Sequence, residues 1–183
     1  MDAVRELGHS RDVPRYVAFL RGVMPTNASM ADLRRAFEQA GFDEVRTVLG
    51  SGNVTFTTAS TPEAKLARAC EAAMTDALGR TFPTVIRSTR ALETMLAADP
   101  FSAFEIPAGA KRVVTFLRTP PKPVPTLPIE ADGVRILHLD GCEAFTTYVS
   151  GPAGPIFMKM IEKTFGKDVT TRTWDTIRKC VKA

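Results

Sequence analysis

Apolar and polar residues follow one another along the first half of the chain in an order that predicts strand, helix, strand, strand, helix, strand. Residues 16–20 form a short apolar run rich in strand formers, whereas apolar residues recur at helical spacing over residues 33–40 and 66–77. Gly50-Ser51-Gly52 separates two strands in the manner of a hairpin turn. This order over residues 14–88 is typical of the ferredoxin-like split βαβ unit.

The second half of the chain has the pattern of an altered copy. Five prolines within residues 119–128 exclude a helix there, so an extended connection replaces the first helix of the unit. A hairpin is predicted about Asp140-Gly141. We therefore predict an α+β protein of two ferredoxin-like subdomains, residues 14–88 and 89–183, with antiparallel sheets and helices on one face, after a flexible tail of residues 1–13.

Composition and charge narrow the classes of function. The chain is 44% hydrophobic and 24% charged, as in ordinary globular proteins, and no apolar run is long enough to span a bilayer. Its three cysteines are widely spaced and lack metal-type or CxxC pairing, which favours buried thiols and a cytoplasmic location. The net charge of +4 is not concentrated in a basic run. We expect no cofactor, no metal and no membrane partner.

Two polar clusters are predicted to meet at one edge of the first sheet. The first and third strands of this unit are antiparallel neighbours, so Arg21-Gly22 at the end of one approaches Ser51-Gly52-Asn53 at the start of the other. An arginine, a hydroxyl, an amide and a nearby helix N-terminus suit an anion. The alternative is that Arg21 pairs with Asp32 or with a carbonyl, while the polar turn residues only shape the hairpin.

A second candidate lies at the start of the last predicted helix. Thr173 is placed to cap this helix, between Arg172 and Trp174. The arginine offers a charged fork and the tryptophan a stacking face to a ligand. The alternative is that Trp174 anchors the core and Arg172 forms a surface pair.

Several activities lack their sequence signatures. There is no G-x-S-x-G, P-loop or G-x-G-x-x-G motif, and His138 has no neighbouring histidine that suggests a metal pair. On the third strand, Asn53, Thr55 and Thr57 take the places where an RNA-binding module of this fold has stacking aromatic rings. Nucleic acid is therefore a disfavoured partner.

Four ordered segments of the chain carry a resemblance to a known family: Tyr16–Gly22, Met30–Arg34, Ser51–Val54 and Thr171–Thr176. They resemble the bacterial family named domain of unknown function 1697. The resemblance runs from about Arg15 to the C-terminus and implies two ferredoxin-like subdomains, but it brings no established activity. Where the family commonly has a loop with two glycines and a lysine, this chain has residues 23–28 without them. Gly50 and Thr173 likewise replace a glutamine and an asparagine that are common in the family.

Two classes of function remain open from the sequence. The favoured one is a binding or regulatory protein that recognises a small anionic, phosphate-bearing ligand, with the oligomeric state left open. The alternative is an enzyme of unknown reaction type that acts on a phosphorylated or nucleotide-like metabolite; no acid–base pair near the predicted site supports it. The predicted ligand-binding residues are Arg21, Gly22, Ser51, Gly52, Asn53, Arg172 and Trp174.

Overall fold

The structure is a computed structural model that describes residues 13–151 and 153–183. The predicted N-terminal tail lies outside these residues except for Val13. The strands are β1 (Arg15–Leu20), β2 (Asp43–Thr47), β3 (Asn53–Thr57), β4 (Thr84–Ser88), β5 (Ala110–Leu117), β6 (Ile129–Ala131), β7 (Val134–Asp140), β8 (Glu143–Val149) and β9 (Val169–Thr173). The helices are α1 (Met30–Gln39), α2 (Glu63–Leu78), α3 (Thr89–Ala98), α4 (Ala153–Phe165) and α5 (Trp174–Lys182), with a short 3-10 helix at Pro100–Ala103.

Hydroxyl side chains set the starts of three helices. The Oγ of Ser29 accepts the backbone N–H of Asp32 at 3.1 Å at the start of α1, and the Oγ1 of Thr173 accepts that of Thr176 at 3.2 Å at the start of α5. Both caps follow from the sequence pattern and satisfy amides that have no partner within the helix. Ser88 caps α3 in the same way. Gly79 ends α2 in the left-handed conformation, with φ 63°.

The chain forms two antiparallel sheets, one of four strands and one of five. The first has the order β2-β3-β1-β4 and the second β6-β7-β8-β5-β9. The prediction of an α+β protein with antiparallel sheets is thereby confirmed. The last four strands of the second sheet repeat the order of the first, whereas β6, which directly follows the predicted extended connection of residues 119–128, is an extra edge strand paired with β7.

Each sheet is covered on both faces. Helices α1 and α2 pack on one face of the first sheet, through residues such as Leu33, Phe37 and Leu66, and α4 packs on one face of the second. The remaining faces meet each other around a shared cluster in which the rings of Phe19 and Phe116 stack, with centroids 4.5 Å apart and planes 13° from parallel. Helices α3 and α5 also pack into this shared cluster, so the prediction of helices on one face holds for α1, α2 and α4 and is wrong for α3 and α5.

This double coverage explains why polar residues of β3 are buried. All five residues from Asn53 to Thr57 are buried. The apolar side of the strand faces α1 and α2, and its polar side faces the second half of the chain. The polar residues therefore have to find hydrogen-bond partners inside the protein.

Replacing the stacked phenylalanine between the sheets tests this packing. Phe19→Ala removes a fully buried ring, so we expect the free energy of unfolding to fall by about 3–5 kcal/mol. Met24→Ala, at a side chain that is 54% exposed, is the control and should change it by less than about 0.5 kcal/mol. Urea unfolding followed by circular dichroism measures both. A loss below about 1 kcal/mol for Phe19→Ala would mean that the two sheets are not packed as described.

Candidate functional site

The turn between β2 and β3 brings the first polar cluster together. Gly52 has φ +80°, and its carbonyl accepts the backbone N–H of Leu20 at 2.8 Å, which joins the turn to the end of β1. The amide Nδ2 of Asn53 donates to the carbonyl of Val48 at 2.8 Å and to the Oγ of Ser51 at 3.0 Å. Ser51 and Asn53 therefore do shape the hairpin, as one of the two sequence interpretations holds.

Arg172 reaches from β9 into this turn. Its Nη2 donates to the carbonyls of Leu20 at 2.6 Å, Ser51 at 3.1 Å and Gly52 at 3.1 Å. Its Nε donates to the Oδ1 of Asn53 at 2.5 Å. A residue of the second half thus holds the end of β1 and the start of β3 at once.

The remaining donors of Arg172 stay within its own strand. Nη1 donates to the Oγ1 of Thr170 at 2.8 Å and to the carbonyl of Thr171 at 2.7 Å, so all five N–H groups have acceptors. The guanidinium also lies over the ring of Phe19, 5.5 Å from its centroid. Burial lowers the pKa of Arg172 to about 10, and no carboxylate among the described residues pairs with it. It is a buried cation held by neutral acceptors, not the surface pair that the sequence allowed.

Arg21 is also engaged within the protein. Its Nη2 is 2.6 Å from the Oε1 of Glu162, and its Nη1 donates to the carbonyls of Val169, at 2.7 Å, and of Lys167. A carbonyl partner is one of the alternatives open from the sequence. The acidic partner is Glu162 of α4, whereas Asp32 accepts hydrogen bonds from Ser29 and Arg35.

The structure brings six of the seven predicted residues together. Arg21, Gly22, Ser51 and Arg172 line a small cavity of about 250 Å³, and Gly52 and Asn53 contact Arg172 behind it. Trp174 lies elsewhere. Its ring is 2% exposed and packs edge-on against Phe101, with centroids 5.2 Å apart, which is the core position that the alternative interpretation assigned to it.

A larger cleft of about 640 Å³ opens between the two halves of the chain, and we call it the interhalf cleft. Its floor is largely apolar and its rim is charged, which is the usual composition of a small-molecule site. It is lined by Glu63, Ala64, Ala67 and Arg68 of α2, by Thr84–Arg87 of β4, and by Arg118, Thr119, Cys142 and Glu143 of the second half.

Arg87 sits at the centre of the rim. Its Nε donates to a carboxylate oxygen of Glu143, its Nη1 is 3.5 Å from the Oε2 of Glu63, and its Nη2 donates to the carbonyl of Leu117 at 2.9 Å. Only 12% of its side chain is exposed. Arg87 is therefore held in place from both halves of the chain.

Two glutamates of α2 occupy the free edge of β4. Glu63 accepts the backbone N–H of Ser88 at 2.9 Å, and Glu71 accepts that of Thr84 at 2.8 Å. Glu71 also pairs with Arg118, which is 3.0 Å from the exposed Asp168. These contacts satisfy edge amides that would otherwise be open to another strand.

Two lining residues of the cleft are less engaged. Arg68 is exposed on α2 and forms no ion pair with any described residue. Cys142 is half-buried, and burial is the main cause that raises the pKa of its thiol above the ordinary value. Sequence reasoning missed this cleft; the available signal was a charged residue, Arg87 or Glu143, within a predicted strand.

Other kinds of site are not found in the described part of the chain. Residues 13–151 and 153–183 contain no group of three or more His, Cys, Asp or Glu that could hold a metal ion. None of the helices there is long and apolar enough to cross a membrane.

The two sheets with a shared strand order define an α+β protein built from two antiparallel units. A family model described as "Protein of unknown function (DUF1697)" matches residues 13–145, more than half of the chain, and the chain belongs to this family. The resemblance found in the sequence is thereby confirmed. No curated protein sequence matches the chain.

Among solved structures, the chain is similar to the conserved bacterial protein SP0830 from Streptococcus pneumoniae. The TM-score is 0.67 and the sequence identity 17%, over 93% of this chain and 98% of that one. At this identity the likeness shows the fold alone.

Glycine substitutions test the close approach of the turn to β1. A Cβ on Gly52 would lie 2.8 Å from the Cγ2 of Val23 and 3.1 Å from the Cβ of Leu20, in a left-handed conformation. Gly52→Ala should therefore combine backbone strain of about 1–2 kcal/mol with overpacking of about 1–3 kcal/mol.

Two other glycines separate these causes. Gly22 has the same φ of +80° with no atom within 4 Å, so Gly22→Ala should show the backbone strain alone. Gly50 has neither restriction, and Gly50→Ala should be neutral or stabilising by up to about 1 kcal/mol. Chemical unfolding measures all three variants, and equal losses for Gly52→Ala and Gly22→Ala would contradict the close approach.

Proposed function

We propose that this protein binds a small anionic, phosphate-bearing ligand in the interhalf cleft and does not catalyse a reaction on it. The observation that carries this proposal is the cleft itself, whose walls come from both halves and whose rim holds Arg68 without an acidic partner among the described residues. Arg118 lies on the same rim. Its Nη2 pairs with Glu71, whereas the carboxylate next to its Nε, that of Asp168, is 69% exposed. An incoming anion would compete with a well-solvated carboxylate for that arginine.

The smaller cavity supports anion binding less well. All five N–H groups of Arg172 and the charge of Arg21 are already satisfied by protein groups. A ligand there would have to displace internal hydrogen bonds, and the buried groups left behind would lose their partners. We therefore propose that this region positions the two halves and that ligand binding lies in the interhalf cleft.

The charge pattern of the cleft supports binding rather than catalysis. Glu63 and Glu143, its two lining carboxylates, both face the guanidinium of Arg87. The two carboxylates hold the guanidinium of Arg87 in place. They do not provide the free acid and base that proton transfer requires.

We further propose that each half, residues 14–88 and 89–183, is a ferredoxin-like plait. The strand order β2-β3-β1-β4, with α1 and α2 as the two connections, supports this for the first half, and the order β7-β8-β5-β9 supports it for the second. A cytoplasmic location is proposed as well, because the three cysteines are all free thiols.

A thermal-shift screen tests the binding proposal. The probes are inorganic phosphate, pyrophosphate, citrate and the ribonucleoside mono-, di- and triphosphates. A ligand at about one hundred times its Kd should raise the Tm by about 5–10 °C, since it stabilises only the folded state. Arg68→Gln should weaken this shift, while Arg178→Gln, at an exposed arginine of α5 outside the cleft, should leave it unchanged.

The thiol of Cys142 reports on the occupancy of the cleft independently of stability. Cys70 and Cys180 are buried, and burial raises the pKa of each thiol, that of Cys180 to about 11. At about pH 8, Ellman's reagent should therefore modify Cys142 alone in the native protein, and a bound ligand should slow this reaction. Failure of every probe to stabilise the protein, or equal binding by Arg68→Gln, would contradict the proposed function.

A further inference from the structure

A second groove, of about 820 Å³, lies on the second half between the extended connection and α4, and we call it the proline groove. One wall is formed by Pro121, Pro123 and Pro125 of the extended connection, and the other by α4. It shares no lining residue with the interhalf cleft. Its volume falls within the range of about 300–1,000 Å³ that is usual for small-molecule sites.

One face of α4 looks into this groove. Ile156, Lys159, Met160, Lys163 and Thr164 all line it, and their spacing of three and four residues is that of a single helical face. The buried side of the same helix is formed by Phe157 and Ile161, which pack on the second sheet. The groove face combines the cationic Lys159 and Lys163 with Ile156 and Met160, which are half-buried and also pack against the core of the second sheet.

The lysines of the groove form no ion pairs within the part of the chain that the structure describes. They are Lys122, Lys159 and Lys163. Lys159 and Lys163 are four residues apart on α4, where like charges repel and destabilise a helix by about 0.2–0.5 kcal/mol. Asp132 is the one acidic residue among those that line the groove. This arrangement favours an anion.

The opposite wall determines what kind of anion fits. Proline has no backbone N–H, so this wall offers ring surfaces and few amide donors. Ile129 and Phe165 extend the apolar surface. A purely polar anion would therefore find its contacts only at the lysines, while an anion with an apolar chain would use the whole groove.

We propose that the proline groove binds an amphiphilic anion, with a carboxylate or phosphate headgroup at Lys159 and Lys163 and an alkyl chain along the proline wall. The site is separate from the interhalf cleft and does not depend on the proposed function. A free amphiphile fits better than a bilayer surface, since Ile129, Ile156, Met160 and Phe165, which line the groove, are all half-buried.

Calorimetric titration of the full chain tests this proposal with three probes: octanoate, octanol and acetate. Octanoate has both the charge and the chain, so it should bind saturably and at least about tenfold more tightly than octanol or acetate, a difference of about 1.4 kcal/mol. Equal affinity for octanol would overturn the role of the lysines. Equal affinity for acetate would overturn the role of the apolar wall.

Paired lysine variants locate the binding. Lys159→Gln combined with Lys163→Gln should weaken octanoate binding at least about tenfold. Lys179→Gln combined with Lys182→Gln, on α5, removes the same charge outside the groove and should not. If both pairs weaken binding equally, the effect is one of net charge and the proposal is wrong.

Methyl NMR gives a second readout, which shows where the ligand binds. Octanoate should shift the methyl resonance of Met160, which lines the groove, and leave that of the exposed Met24 unchanged.

Sedimentation with vesicles of phosphatidylglycerol tests the membrane surface as the alternative ligand. Lysine-dependent sedimentation with vesicles, without octanoate binding, would overturn the free amphiphile in favour of a membrane surface.

Discussion

The buried guanidinium of Arg172 is the constraint on which the arrangement of the two halves depends. A cation removed from water is costly unless every donor finds an acceptor. Here the acceptors come from the end of β1, the turn before β3 and its own strand β9, so the cost is offset only when these three segments lie together. Because no described carboxylate pairs with Arg172, the position of its guanidinium is fixed mainly by the carbonyl groups that accept its hydrogen bonds. Arg172 thereby sets how the second sheet lies on the first.

Ion pairs that cross between the halves complete this arrangement. Arg21 of the first half pairs with Glu162 of the second, Arg87 pairs with Glu143, and Arg118 of the second half pairs with Glu71 of the first. The last two surround the interhalf cleft. The same contacts that join the halves therefore also place charged groups around the space between them, which links the packing of the protein to its proposed ligand site. The proline groove depends on a different feature, the replacement of a helix by an extended proline-rich segment.

The sequence predicted local structure well and long-range contacts poorly. The caps at Ser29 and Thr173 and the breaks imposed by the prolines are decided by neighbouring residues, so they could be predicted. The meeting of Arg21 with the Ser51 turn followed from the strand order. The partner Glu162 could not be foreseen, because it lies on a helix of the other half. The interhalf cleft was missed for the same reason, since no short-range pattern shows how two sheets pack face to face.

A double-mutant cycle between Arg172 and Asn53 tests the central claim most directly. Arg172→Met, Asn53→Ala and the double variant are compared with the wild type by urea unfolding. If the guanidinium of β9 binds the first half through Asn53, the losses should be non-additive, with a coupling of about 1.5–3 kcal/mol, as for hydrogen bonds to charged groups. Losses that add within about 0.5 kcal/mol would show that the two residues do not interact, and would contradict the role of Arg172 in joining the halves.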